Sequence, residues 1–201
     1  PAKVSITGRA AEFDVVNIEG TRRLLQIART AGVRDVVYVS SPSVAHSGSA
    51  IVGLGAEQAD PRHAHGDYAR TKAEAELLAL AADGPAVRVA AVRPHIVWGP
   101  GDTQLVERVL VRASHRRLPL LDAGAALIDT TYVDNAASAI VAALHRMEHV
   151  HGRAVVVSNG EPRPIGELLA GICAAGGVAP PSWSVPGGLA RAAGAVGERF
   201  W

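Results

Sequence analysis

Asp35-Val36-Val37-Tyr38-Val39-Ser40-Ser41-Pro42 is the stretch on which the fold turns. Its short run of Val and Tyr favours a buried strand, and the serines and proline that follow end that strand in a loop. Upstream, residues 12–31 read as a helix: Val15, Ile18, Leu25 and Ala28 recur at helical spacing, and Gly32 stands just past the end as a stop. Downstream, residues 42–66 are rich in Ser, Gly, Ala and His, with Asp60-Pro61 as a breaker. That is a long loop, and long loops inside compact domains are usually functional.

The alternation of helix and strand continues along the chain. Residues 67–82 read as an Ala- and Leu-rich helix, 86–92 as a strand stopped by Arg93-Pro94, and Gly99-Pro100-Gly101-Asp102 as a turn into a helix over 103–114. Residues 126–133 read as extended, 133–146 as a helix, 154–158 as a strand, and 164–175 as a helix opened by Pro164. A proline-rich tail over 179–186 precedes a weak helix over 188–200. Strands alternating with helices, with few hairpin signals, predict an α/β fold with a parallel sheet and crossover helices.

Composition narrows the function classes. The 201 residues are 48% apolar with a net charge of +1, which suits a packed core and argues against disorder or a nucleic-acid footprint. Arg22-Arg23 and His115-Arg116-Arg117 read as solvated helix ends. Cys173, the single cysteine, excludes an internal disulfide and reads as a small buried apolar residue. No apolar run reaches the ~18 residues of a membrane span and no signal peptide opens the chain, so a cytoplasmic protein is expected. His63-Ala64-His65 lacks a third ligand at suitable spacing, and no metal site is expected.

Tyr68-Ala69-Arg70-Thr71-Lys72 carries the chemistry. Four residues apart on a helix, the phenol and the ammonium project from one face. A phenol is a poor acid or base at neutral pH, and a nearby ammonium favours the phenolate and draws its pKa down. The pair suits proton exchange with a carbonyl/alcohol couple. Ser40-Ser41 closes the strand upstream, and ligands in parallel α/β sheets bind at the carboxyl ends of strands. A serine there and a tyrosine opening the next helix can converge on one substrate oxygen.

These landmarks resemble those of the extended short-chain dehydrogenases. Val37-Tyr38-Val39-Ser40-Ser41-Pro42-Ser43-Val44, Tyr68 and Lys72, and Arg93-Pro94-His95-Ile96-Val97-Trp98-Gly99-Pro100-Gly101-Asp102 come in the family's order. Asn17-Ile18-Glu19-Gly20-Thr21 is similar to the helix motif before them, and Tyr132-Val133-Asp134-Asn135 to the segment after them. The branch most similar is the 3β-hydroxysteroid dehydrogenase group within the NAD-dependent epimerase/dehydratase family. The resemblance implies a partial Rossmann-type doubly wound parallel sheet with a small C-terminal substrate lobe. It places the last part of the nucleotide-binding domain in residues 1–100, and the final Rossmann elements with the substrate lobe in 101–201.

The same resemblance implies the roles. Tyr68 is the general acid/base, Lys72 lowers its pKa and holds the nicotinamide ribose, and Ser41, three residues before Val44, orients the substrate oxygen. Pro94, Ile96 and Val97 line the nicotinamide of NAD or NADP, and a homodimer is expected. The family's glycine-rich turn has no counterpart, since Gly53-Leu54-Gly55 lies in a loop and lacks the third glycine. Pro1-Ala2-Lys3-Val4 resembles the stretch after the family's fourth strand, so a fragment or truncated reading frame is expected. The leading expectation is an oxidoreductase acting on a sterol-like or other bulky apolar alcohol or ketone. A nucleotide-sugar epimerase or dehydratase is the alternative on the same fold. A non-catalytic binding protein, left after loss of the cofactor half, is the alternative of another class.

Overall fold

The computed structural model describes residues 2–4, 8–46, 53 and 55–190. In chain order the elements are α1 (Ala10–Phe13), a π-helical segment (Asp14–Glu19), α2 (Gly20–Thr30), β1 (Asp35–Val39), a 3-10 turn (Pro42–Ala45), α3 (Gly66–Ala81), β2 (Arg88–Pro94) and β3 (Val97–Trp98). They continue with α4 (Val106–Ser114), β4 (Leu120–Leu121), β5 (Leu127–Ile128), β6 (Thr131–Tyr132), α5 (Val133–His145), α6 (Met147–Val150), β7 (Ala154–Val157), β8 (Arg163–Pro164), α7 (Ile165–Ala175) and β9 (Ser184–Val185). The weak helix expected over 188–200 lies beyond residue 190 for most of its length, outside the described residues.

Two compact units emerge, and they are interleaved in sequence. One comprises residues 1–95 and 134–157, the other 96–133 and 158–201. Where the sequence reading draws one boundary at residue 100, the chain leaves the first unit after His95 and returns to it for α5, α6 and β7. The return is physical: β7 pairs with β2, so the segment carrying it must rejoin that sheet.

The first unit is built on a parallel sheet in the order β1-β2-β7, with Val39 opposite Val92 and Val157 opposite Pro94. This is the expected α/β arrangement. Its central strand β2 is apolar and covered, Val89, Ala90, Ala91 and Val92 being fully buried, as a strand enclosed on both faces requires. Leu25 of α2 and Ala79 of α3 pack with Val87 and Val89. Gly32 ends α2 with a positive φ of 70°, and Val33 N–H returns to Ala28 O while Gly32 N–H returns to Arg29 O, a Schellman closure.

The expected first helix is present but not regular. Across Asp14–Glu19 it widens into a π turn around Asn17, which is 2% exposed. Asn17 Oδ1 accepts from Lys3 N–H at 2.7 Å, and its Nδ2 donates to Thr71 Oγ1 at 3.0 Å. The amide thereby joins this helix to α3 beside Lys72. A π turn carries an extra residue at the cost of helical regularity, and it persists where tertiary contacts hold it.

The second unit has a separate core, in which Val109 and Ala113 of α4 pack against Leu169 and Cys173 of α7. Cys173 is fully buried, as its apolar setting predicts. Helix α4 starts at Val106 instead of 103: residues 103–105 form a turn, in which the Asp102 carboxylate accepts N–H bonds from Gln104, Leu105 and Val106. The extended run over 126–133 is two short strands, broken where the Asp129 carboxylate takes Thr130 N–H at 2.8 Å.

Candidate active site

The chemistry-bearing residues of the first unit gather at the carboxyl end of β1. Lys72, on the second turn of α3, is 4% exposed. Its Nζ donates to Val39 O at 2.7 Å and lies 4.3 Å from the centre of the Tyr38 ring. Burial holds the ammonium's pKa down at about 8, and the charge of Glu76 opposes that fall. Tyr68 stands one turn earlier on α3, and the Ser41 hydroxyl favours ionisation of its phenol. Ser41 Oγ also lies 2.9 Å from Ser43 Oγ and accepts Ser43 N–H at 3.3 Å, capping the 3-10 turn.

The electrostatics differ from the expectation at one point. Burial pushes the Tyr68 phenol up, and the Ser41 hydroxyl offsets that only in part. Lys72 Nζ meanwhile is engaged with Val39 O and the Tyr38 ring. The Tyr38 phenol is also pushed up, by burial first and then by the Glu76 charge.

Of the expected cofactor contacts, Pro94 ends β2, the strand beside β1. Ile96 and Val97 open the second unit, where Ile96 O accepts Thr131 N–H at 2.9 Å and Val97 pairs with Thr131. Three groups escape the sequence reading. Ser40 Oγ is buried with no hydrogen-bond partner among the described residues, which in a native interior calls for an explanation. Glu76 and Arg93 form an ion pair with both side chains at most 2% exposed. One signal was available: Glu76 continues the four-residue spacing of Tyr68 and Lys72.

The model of the 3-beta hydroxysteroid dehydrogenase/isomerase family matches residues 2–186. The chain belongs to that family. Among relatives of this dehydrogenase/isomerase family member is a 2-alkyl-3-oxoalkanoate reductase of Stenotrophomonas maltophilia, 37% identical over 205 residues, covering 100% of this chain and 62% of the relative. Another is a sterol-4-alpha-carboxylate 3-dehydrogenase, decarboxylating, of Candida albicans, 31% identical, covering 75% of this chain and 45% of the relative. The chain thus spans less than two thirds of the length of these relatives. Among solved structures, MoeE5 in complex with UDP-glucose and NAD aligns with a TM-score of 0.73 at 27% identity, over 92% of this chain and 63% of that one. DesIV, a dTDP-glucose 4,6-dehydratase from Streptomyces venezuelae with NAD and TYD bound, aligns with a TM-score of 0.75 at 25% identity, over 92% of this chain and 58% of that one.

NAD therefore accompanies this fold in solved structures, and the residues at the end of β1 suit its nicotinamide ribose. Among the described residues Ser40 Oγ is a buried polar atom without a hydrogen-bond partner, and Lys72 Nζ, which carries three N–H donors, gives one to Val39 O. Among the described residues no three His, Cys, Asp or Glu side chains cluster as a metal would require. No helix among them is long and apolar enough to cross a membrane.

Burial of Lys72 also gives the fold a pH dependence. Its folded pKa of about 8 lies below the ordinary 10.5, so between those values the unfolded chain binds more protons, and stability rises with pH. Above about 10 the raised Tyr38 and Tyr68 phenols work the other way. Urea unfolding at pH 8 and pH 9.5 is expected to show higher stability at the upper value, and Lys72→Met to flatten that difference.

Proposed function

We propose that this chain carries the catalytic end of an NAD(P)-dependent oxidoreductase that interconverts a secondary alcohol and a ketone on a bulky apolar molecule. The observation that carries the reading is the meeting of Ser41, Tyr68 and Lys72 at one strand end. Tyr68 gives its proton to the carbonyl oxygen during reduction and takes one back in the reverse direction. Ser41 holds the same oxygen. Lys72 stays charged to steady the phenolate that Tyr68 leaves behind and to hold the ribose with Tyr68. The nicotinamide supplies or accepts the hydride when bound. Pro94 is a cofactor contact on the family resemblance.

The names of the relatives sharpen the substrate class. A 2-alkyl-3-oxoalkanoate and a sterol 4-carboxylate oxidised at carbon 3 both place the reacting carbon next to the one that bears a carboxylate. The substrate proposed for this chain is accordingly a 3-oxo or 3-hydroxy acid with an apolar branch. A nucleotide sugar is the second reading, favoured by the UDP-glucose held by MoeE5. A screen separates them that follows NADH and NADPH oxidation with a 2-alkyl-3-oxo acid and, with NAD or NADP supplied, conversion of UDP-glucose to a new product, because epimerisation and dehydration consume no net nicotinamide. Turnover of a 2-alkyl-3-oxo acid without turnover of UDP-glucose supports the first, and the converse pattern overturns it.

A further inference from the structure

Glu76 lies one helical turn beyond Lys72 on α3, so Tyr68, Lys72 and Glu76 make one stripe at four-residue spacing. Its carboxylate is fully buried and takes Arg93 Nε at 2.9 Å and Arg93 Nη2 at 2.5 Å. The remaining Nη1 donates to Glu57 O at 2.7 Å. One guanidinium thus ties the end of β2, the helix and the segment that leads into it. That segment is fixed again nearby, where Asp60 N–H reaches Val44 O at 2.8 Å and Ala59 packs with Val44 and Ala73.

A buried ion pair needs a reason, because apolar residues of similar volume often stabilise a fold as well or better. Here the reason lies one turn away. Lys72 is stripped of water, a condition that favours loss of its proton, and Glu76 supplies the negative charge that resists it. The other groups around the pair are accounted for. Tyr38 faces it from β1, and Tyr68 shares its helix face. Arg70 binds Asp14, Asp67 and Glu74, on the opposite side of α3.

We propose that Glu76, braced by Arg93, is a positioning residue for the Tyr68–Lys72 pair. It keeps Lys72 an ammonium in a dry setting and fixes the rotation of α3 that aims both side chains. The inference rests on the catalytic reading of Tyr68 and Lys72 above, and its test separates the two. Lys3 and Lys72 are the chain's lysines, so a protein isotope-labelled at lysine Cε gives two signals, assigned with Lys3→Arg.

In Glu76→Gln the Lys72 titration midpoint is expected to fall by about one pH unit while Lys3 stays put. The neutral double variant Glu76→Gln/Arg93→Gln leaves no orphan charge and is expected to fold and show the fall as well. A Lys72 midpoint equal to the parent's in the folded double variant overturns the proposal. So does loss of the fold in both variants, which assigns the pair a purely architectural role. The pH profile of turnover is expected to shift with the midpoint. A midpoint that moves while the profile stands still keeps the Glu76–Lys72 coupling but removes Lys72 from the chemistry, and with it the positioning role.

Discussion

Tyr68→Phe is expected to lower turnover of the alcohol/ketone couple about a thousandfold, while the protein remains folded and still binds the nicotinamide nucleotide. The substitution removes one oxygen and keeps the ring, so packing around α3 is conserved. What is lost is the proton that the carbonyl oxygen needs. A positioned acid/base typically contributes between about a hundredfold and ten-thousandfold, and Ser41 cannot replace it because a serine hydroxyl is a far weaker acid than a phenol. Steady-state kinetics beside a nucleotide-binding titration checks the expectation. Turnover that survives unchanged in this variant would remove Tyr68 from the mechanism.

Arg93→Leu is expected to have the largest effect on stability. The variant leaves the Glu76 carboxylate buried and unpaired, and breaking a buried pair in this way costs about 3–5 kcal/mol. It also releases Glu57 O from its donor at the segment leading into α3. Urea unfolding measures the loss directly. Adding Glu76→Leu to the same protein is expected to restore much of the stability, since the destabilisation comes from the orphan charge and not from the missing contact. A double variant no more stable than Arg93→Leu would show that the side chains are needed for their shape.

The strand that sets the frame was legible because its residues are constrained locally. Val36 to Val39 can hardly do anything but extend, and Pro42 stops them, so β1 is found at Asp35–Val39 as expected. The parallel sheet followed from strand–helix alternation, and the Tyr68–Lys72 stripe from helical spacing. Long-range effects were not legible. The π turn at Asp14–Glu19 exists because Asn17 finds Lys3 and Thr71, contacts that no local pattern announces. Glu76 shares the four-residue spacing of Tyr68 and Lys72, but its sealing with Arg93 depends on a partner 17 residues away, whereas Glu74 meets Arg70 at the surface within one turn. The return of residues 134–157 to the first unit was hidden for the same reason, since strand pairing and not chain order sets it.

Titration of the 201-residue chain with NADH and NADPH, followed by nucleotide fluorescence, tests the central claim most directly. The arrangement of Ser41, Tyr68 and Lys72 predicts a saturable change with at least one of the two, weakened in Lys72→Met and kept in Tyr68→Phe. A fluorescence response that rises without saturating, or that is the same in Lys72→Met, would contradict the claim that the end of β1 is a nicotinamide site.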